Sequence, residues 1–171
     1  MVKLIPYNHI YENITIERIS EFFGFHRSLV EKNDDGHDKE DDKASSRTVL
    51  REWLEEPNAL YIIMDGEICA GFMRINFRGP IAVWIEDIFV DSKFRGRGIA
   101  TAAINSLESI VKADAPNCNA ICMDVAPRNE AALKLYHRLG FRDLSLITLR
   151  KEIGQSKRDR DLELFGLDFK Y

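Results

Sequence analysis

Between Lys93 and Val111 the chain reads KFRGRGIATAAINSLESIV, and before it, separated by Asp91 and Ser92, stands WIEDIFV, Trp84 to Val90. The first stretch joins a basic, glycine-containing turn to an unbroken helical pattern. A turn that opens a helix presents free backbone N–H groups and the positive end of the helix dipole, which together favour an anion. Glycine lets a phosphate come close to the backbone without collision. Gly96, Gly98 and the small Ala100 supply that access, and Lys93, Arg95 and Arg97 add charge. A plain tight turn with solvated arginines is the competing reading of a bare GxG. The order strand, basic turn, helix without a side-chain cap weighs against it. The stretch is neither a Walker P-loop, which ends in GK[ST], nor a GxGxxG turn, since Thr101 stands three residues after Gly98.

The second stretch places two adjacent carboxylates, Glu86 and Asp87, inside a strand. Strict alternation would put Trp84, Glu86, Ile88 and Val90 on one face and Ile85, Asp87 and Phe89 on the other. With helices over both faces the acids would be partly buried, and a buried charge needs a partner or a purpose. A carboxylate beside a phosphate site can accept a proton, directly or through water. Further along, NEAALKLYHRLGF sets Asn129 at a helix start and Tyr136 seven residues later on the same face. Alone, Asn129 reads as a cap and Tyr136 as a core aromatic with a wet hydroxyl.

The elements that must position these residues follow from hydropathy and turn signals. VKLIPY is a first strand. Apolar residues at helical spacing from about Tyr11 to Val30 (Ile16, Ile19, Phe22, Phe23, Leu29) predict a helix that Gly24 could break. Residues 33–43 carry six acids and no apolar side chain, and predict a solvated loop. A second helix follows, capped by Ser45 or Ser46, with Val49, Leu50, Trp53 and Leu54 inward and Pro57 as its stop. Asp65-Gly66 joins two apolar runs into a hairpin. AVWIEDIFVD, CNAICMDVAP and LSLITLRKEI are further strands, alternating with helices at about Gly98–Ala113 and at Asn129–Gly140. A mixed α/β sheet with helices on both faces results, with at least one parallel pair.

The chain has 171 residues, 45% of them hydrophobic, and a net charge of −4. That length fits one domain, assigned to residues 1–153, with residues 154–171 as a tail that adds an edge strand or docks on a second subunit. The mild acidity argues against a nucleic-acid binder. No long uncharged apolar run suggests a membrane span, and the N-terminus lacks a secretory pattern. Cys69, Cys118 and Cys122 form no CxxC pair, and the histidines lack ligand spacing; the expectation is reduced thiols, no metal and a cytoplasmic setting.

Together the pieces resemble the GNAT superfamily of N-acetyltransferases. The loop signature of that family reads here Arg95-Gly-Arg-Gly98-Ile-Ala100, and its late helix reads Asn129, Ala132, Tyr136, Gly140-Phe141. The resemblance covers roughly residues 1–152. It implies a mostly antiparallel central sheet whose middle strands splay apart, and acetyl-CoA as co-substrate. Backbone amides in the stretch Gly96, Arg97, Gly98, Ile99, Ala100 and Thr101 would hold the pyrophosphate, with Arg95 in the same turn. The backbone of Ile88, Phe89 and Val90 would pair with the pantetheine arm, and Asn129 would bond that arm. Tyr136 would protonate the leaving thiolate. Glu86, through a water, is the first choice as base; Asp87 is the second, or an anchor for a cationic acceptor. The Ile88 amide would stabilise the oxyanion. No covalent enzyme intermediate is implied. The acceptor expected is a small polycationic amine, akin to a polyamine or aminoglycoside, with the acidic segment 33–43 drawing it in. The alternatives are acetylation of a protein or peptide amine, and a non-catalytic acyl-CoA-binding module. A homodimer is a further expectation.

Overall fold

The computed structural model describes residues 1–30, 39–55, 57–151, 153–154 and 158–171. Its centre is a sheet of five strands in the order β1 (Val2–Pro6), β2 (Asn58–Asp65), β3 (Ile68–Phe77), β4 (Ala82–Val90) and β5 (Ala120–Met123). Pairing is antiparallel from β1 to β4 and parallel between β4 and β5. Asp65-Gly66 makes the β2–β3 turn, with Gly66 in the left-handed region that favours glycine.

Two apolar layers hold helices against the sheet. On one face, Ile99, Ala103, Ile104, Leu107 and Val111 of helix α3 (Ile99–Asp114) pack on Met73, Ile75, Val83 and Ile85. On the other, Ile16 and Ile19 of helix α1 (Glu12–Val30) and Leu50 and Trp53 of helix α2 (Lys39–Trp53) pack on Leu60, Phe72 and Phe89. Burial of the first-helix stripe explains why Gly24 does not interrupt α1. The helix penalty for glycine is about 1 kcal/mol, less than burial of one large apolar side chain contributes.

Helix α2 begins at Lys39 rather than at Ser45 or Ser46. No glycine or proline lies between Lys39 and Trp53 to interrupt the helix. Ser46 is therefore a buried position inside the helix. Leu54, expected inward, lies beyond the helix end and is exposed. The expected loop thus becomes helix from residue 39 onward, and its first part, 33–38, lies outside the described residues.

Strand β4 breaks the simple alternation. Arg74 pairs with Asp87, but Ile75 pairs with Ile85, so Glu86 is an extra, bulged residue. The bulge moves the side chains that follow to the opposite face. Ile85 joins the α3 core, whereas Phe89, expected on the same face, joins the α1/α2 core; Ile88 and Val90 pack toward α3. The parallel ladder with β5 runs from Ala82 to Ile85 and stops at this bulge. From Glu86 to Val90 the two strands part.

Helix α4 (Glu130–Arg138) follows β5. The expected strand from Leu144 is absent among the described residues: 144–151 form no ladder, and Leu144, Leu146 and Leu149 are 76%, 79% and 70% exposed. Alternating apolar residues become a strand only where a neighbour supplies the pairing. The tail supplies none. Its strands β6 (Asp161–Leu164) and β7 (Leu167–Lys170) pair with each other as a separate ribbon, not as an edge of the main sheet. The ribbon is tied to the α4 end by Arg128, which bonds Asp159 and the Tyr171 carbonyl oxygen (3.2 Å), and by Arg160 to Glu130 (3.2 Å).

Candidate active site

The parting of β4 from β5 opens a gap in mid-sheet. Its β4 wall is Ile85 to Ile88; its far wall is Met123 to Ala126 with Asn129 and Tyr136; Phe22, Phe25, His26 and Leu29 of α1 border it. Glu86, Asp87, Ile88, Asn129 and Tyr136, all expected at the site, therefore meet at one opening.

The backbone of β4 shows which groups face this gap. The Phe89 carbonyl points to β3, where it lies 1.9 Å from the place a Cβ on Gly71 would occupy. The Val90 carbonyl points the other way and accepts a hydrogen bond from Arg95 Nε at 2.9 Å. In a strand, the polar groups of alternate residues share one side. The N–H and C=O of Ile88 and the N–H of Val90 thus face the gap, an open edge onto which an extended chain can pair.

At the end of β4 comes the glycine turn. Asp91 starts a single 3-10 turn, Ser92–Phe94, and then Gly96 and Gly98 both take positive φ, 75° and 77°. Gly98 is the N-cap of α3, and no side chain caps that helix. A Cβ at either glycine would meet nothing within 4 Å, so the turn is open on its outer side. The arrangement fits a phosphate group held by the first amides of α3. Arg95, expected to contact the cofactor, is folded back: its guanidinium lies 4.5 Å from the Phe25 ring centroid and 5.5 Å from that of Phe89. Arg97 lies over Phe94, 5.7 Å from its centroid.

The two strand acids have different partners. Glu86 is held at both oxygens by Arg78 (2.9 and 2.7 Å), whose guanidinium stacks over Trp84. Asp87 accepts from Arg74 Nε at 2.7 Å, and Arg74 Nη2 lies 2.6 Å away; both contacts use Oδ2. Burial pushes the Asp87 carboxyl above its ordinary pKa, and the Arg74 guanidinium offsets only part of that rise. Asn129 caps α4 with its Oδ1, which accepts from the Ala132 N–H at 3.4 Å, and so keeps its amide nitrogen for another acceptor. Tyr136 packs edge-on against Phe141 and burial raises its pKa, which keeps the phenol protonated.

Sequence reasoning missed His26 and Asp124, which border the gap, and Arg74 and Arg78, which pair the acids. The β3–β4 register would have revealed Arg74 opposite Asp87. A lone histidine in an amphipathic helix carries no comparable signal.

A splayed sheet, an uncapped glycine turn at its mouth and a tyrosine across the gap are the features that the GNAT resemblance implies. The chain belongs to the GNAT acetyltransferase family, whose model matches residues 22–141. It is 31% identical over 108 residues to an uncharacterized N-acetyltransferase of Methanocaldococcus jannaschii, covering 63% of this chain and 67% of that protein. It is also 31% identical over 104 residues to human N-alpha-acetyltransferase 30, a match spanning 56% of this chain and 26% of that longer protein. Among solved structures, aminoglycoside N-acetyltransferase AAC(6')-Iy, in complex with a CoA bisubstrate analogue, aligns over 89% of this chain and 99% of its own, with a TM-score of 0.58 and 22% identity. The protein is an acetyl-CoA-dependent N-acetyltransferase of mixed α/β fold.

Proposed function

We propose that the protein transfers the acetyl group of acetyl-CoA to the primary amine of a small cationic molecule by direct attack in the β4–β5 gap. The observation that carries this reading is the convergence of Asp87, Glu86, the Ile88 amide and Tyr136 on one opening beside an uncapped phosphate turn.

In this reading the turn from Gly96 to Thr101 holds the pyrophosphate, and the gap-facing groups of Ile88 and Val90 bond the pantetheine arm with help from Asn129. An alkyl amine is mostly protonated at neutral pH and attacks only after losing a proton. The geometry favours Asp87 over Glu86 for that proton. Asp87 commits only Oδ2 to Arg74 and sits raised by burial, whereas Arg78 occupies both oxygens of Glu86. Glu86, paired with Arg78, then lines the acceptor side of the gap without taking the proton. The amine nitrogen bonds to the acetyl carbon, the carbon–sulfur bond breaks, the Tyr136 phenol donates its proton to the leaving thiolate, and the second proton that the nitrogen sheds as it becomes an amide returns through water to the phenolate. The Ile88 N–H stabilises the carbonyl oxygen as charge builds.

The second reading is acetylation of a peptide amine, favoured by the sequence match to human N-alpha-acetyltransferase 30. A non-catalytic acyl-CoA-binding module has less support, because Tyr136 and both strand acids border the gap. The reading includes a homodimer, supported by the exposed Leu144, Leu146 and Leu149 and by the outer edge of β5, which pairs with no strand among the described residues: a two-fold exchange satisfies both. It also includes a cytoplasmic setting, supported by three free cysteines. Among the described residues no helix is long and apolar enough to cross a membrane.

The test is CoA release from acetyl-CoA against spermidine, spermine, aminoglycosides, amino acids, and lysine or N-terminal peptides. Turnover on polycations supports the first reading. Turnover confined to peptides replaces it with the second.

A further inference from the structure

Helix α1 reaches the glycine turn at two points. Arg18 is buried, 8% exposed, and its Nη2 lies 2.9 Å from Oδ2 of Asp91, which is 2% exposed. Arg18 Nη1 also bonds Glu21 at 2.8 Å. One helical face and two turns further on, Phe25 carries the Arg95 guanidinium. Asp91 is the hinge of the turn: its Oδ1 accepts from the Lys93 N–H (3.0 Å), its own N–H bonds the Ala70 carbonyl (2.9 Å), and its carbonyl accepts from Phe94 (2.8 Å). Residues 95–98 are exposed and the core resumes only at Ile99, so between β4 and α3 the turn is held to the rest of the protein mainly through Asp91 and Arg95.

A buried ion pair is a poor source of net stability, because desolvation of both charges consumes most of the attraction. This pair is also imperfectly made: Arg18 Nε and Asp91 Oδ2 lack a hydrogen-bond partner among the described residues, although the charges are in contact. Such a pair earns its place through registry. We propose that Arg18 and Asp91 are positioning residues for CoA: their buried contact fixes the pyrophosphate turn to the helix that borders the acceptor gap. The inference rests on the reading of the glycine turn as the pyrophosphate site. Helix α1 then holds three things in one frame, namely the turn through Arg18 and Phe25, the gap through Phe22 and His26, and the sheet through Ile16 and Ile19.

Calorimetry with CoA and with pantetheine, which lacks the pyrophosphate, tests this in the full chain. Arg18→Gln should weaken CoA about tenfold, within the usual range for coupling between sites, and change pantetheine by less than about twofold. Arg18→Lys should restore part of the loss. Amides 96–101 should exchange faster with solvent in Arg18→Gln, and CoA should protect them less. If Arg18→Gln does not fold, Asp91→Asn, which keeps an acceptor for the Lys93 N–H, gives the same comparison. Unchanged CoA affinity, or equal weakening of both ligands, overturns the positioning role. Equal affinity of the native protein for CoA and pantetheine would instead overturn the pyrophosphate reading, and this inference with it.

Discussion

Asp87 and Glu86 are neighbours in sequence but differ in what their oxygens can still do. Asp87 keeps Oδ1 outside its contact with Arg74, and burial holds its carboxyl above the ordinary range. A base must be deprotonated to act, so kcat/KM rises with pH through the pKa of that group. The acid limb of the profile is therefore expected at higher pH than an exposed aspartate would give. Asp87→Asn should remove that limb and lower kcat by about 10²–10⁴-fold, the range for general-base catalysis. Glu86→Gln should have the smaller effect on kcat and act mainly on acceptor KM. If Asp87→Asn leaves the limb in place, the proton goes to another group, and His26 and Asp124 are the other titratable side chains on the gap that carry no partner role in this account.

At the scale of elements, β4 does most of the positioning. Its bulge at Glu86 ends the ladder with β5, and the strand beyond lies unusually close to β3 at Gly71. A side chain at position 71 would meet backbone, not a flexible neighbour. Gly71→Ala should cost about 1–3 kcal/mol of stability, read as a lower denaturant midpoint, and it should also weaken CoA by shifting the Ile88–Val90 edge. Wild-type stability in Gly71→Ala would mean that this close approach is not what sets the strand. The bulge also explains an error of strict alternation. Period-2 reasoning put Ile85 and Phe89 on one face, and a single inserted residue separates them onto two cores. Bulges leave no composition signal in one strand, because they depend on the register of the partner.

Across the whole molecule, the exposed Leu144, Leu146 and Leu149 and the outer edge of β5, unpaired among the described residues, bear on assembly. Sedimentation equilibrium should find a dimer, and Leu146→Lys should shift it toward monomer; a native monomer over a wide concentration range would remove the dimer from the account. The same region marks where sequence legibility ended. The strands around Asp65-Gly66 and the helix after Gly98 were readable, because local turn chemistry and periodicity dictate them; Glu86, Ile88, Asn129 and Tyr136 were grouped only through the family resemblance, since alone Asn129 reads as a cap and Tyr136 as a core aromatic. The segment from Leu144 was not, because its pattern states only that it can be a strand. The start of α2 was missed because a charged stretch without apolar residues has no periodicity to distinguish a helix from a loop. Arg95 was placed in the turn by its charge and by the loop signature, and neither conveys the packing on Phe25 and Phe89.

The most direct test of the central claim, that acetyl transfer occurs in the β4–β5 gap with Tyr136 as proton donor, compares the native protein with Tyr136→Phe on the best acceptor of the amine panel. A fall in kcat of about 10²–10⁴-fold is expected, with CoA affinity near normal. Unchanged turnover in Tyr136→Phe would contradict it.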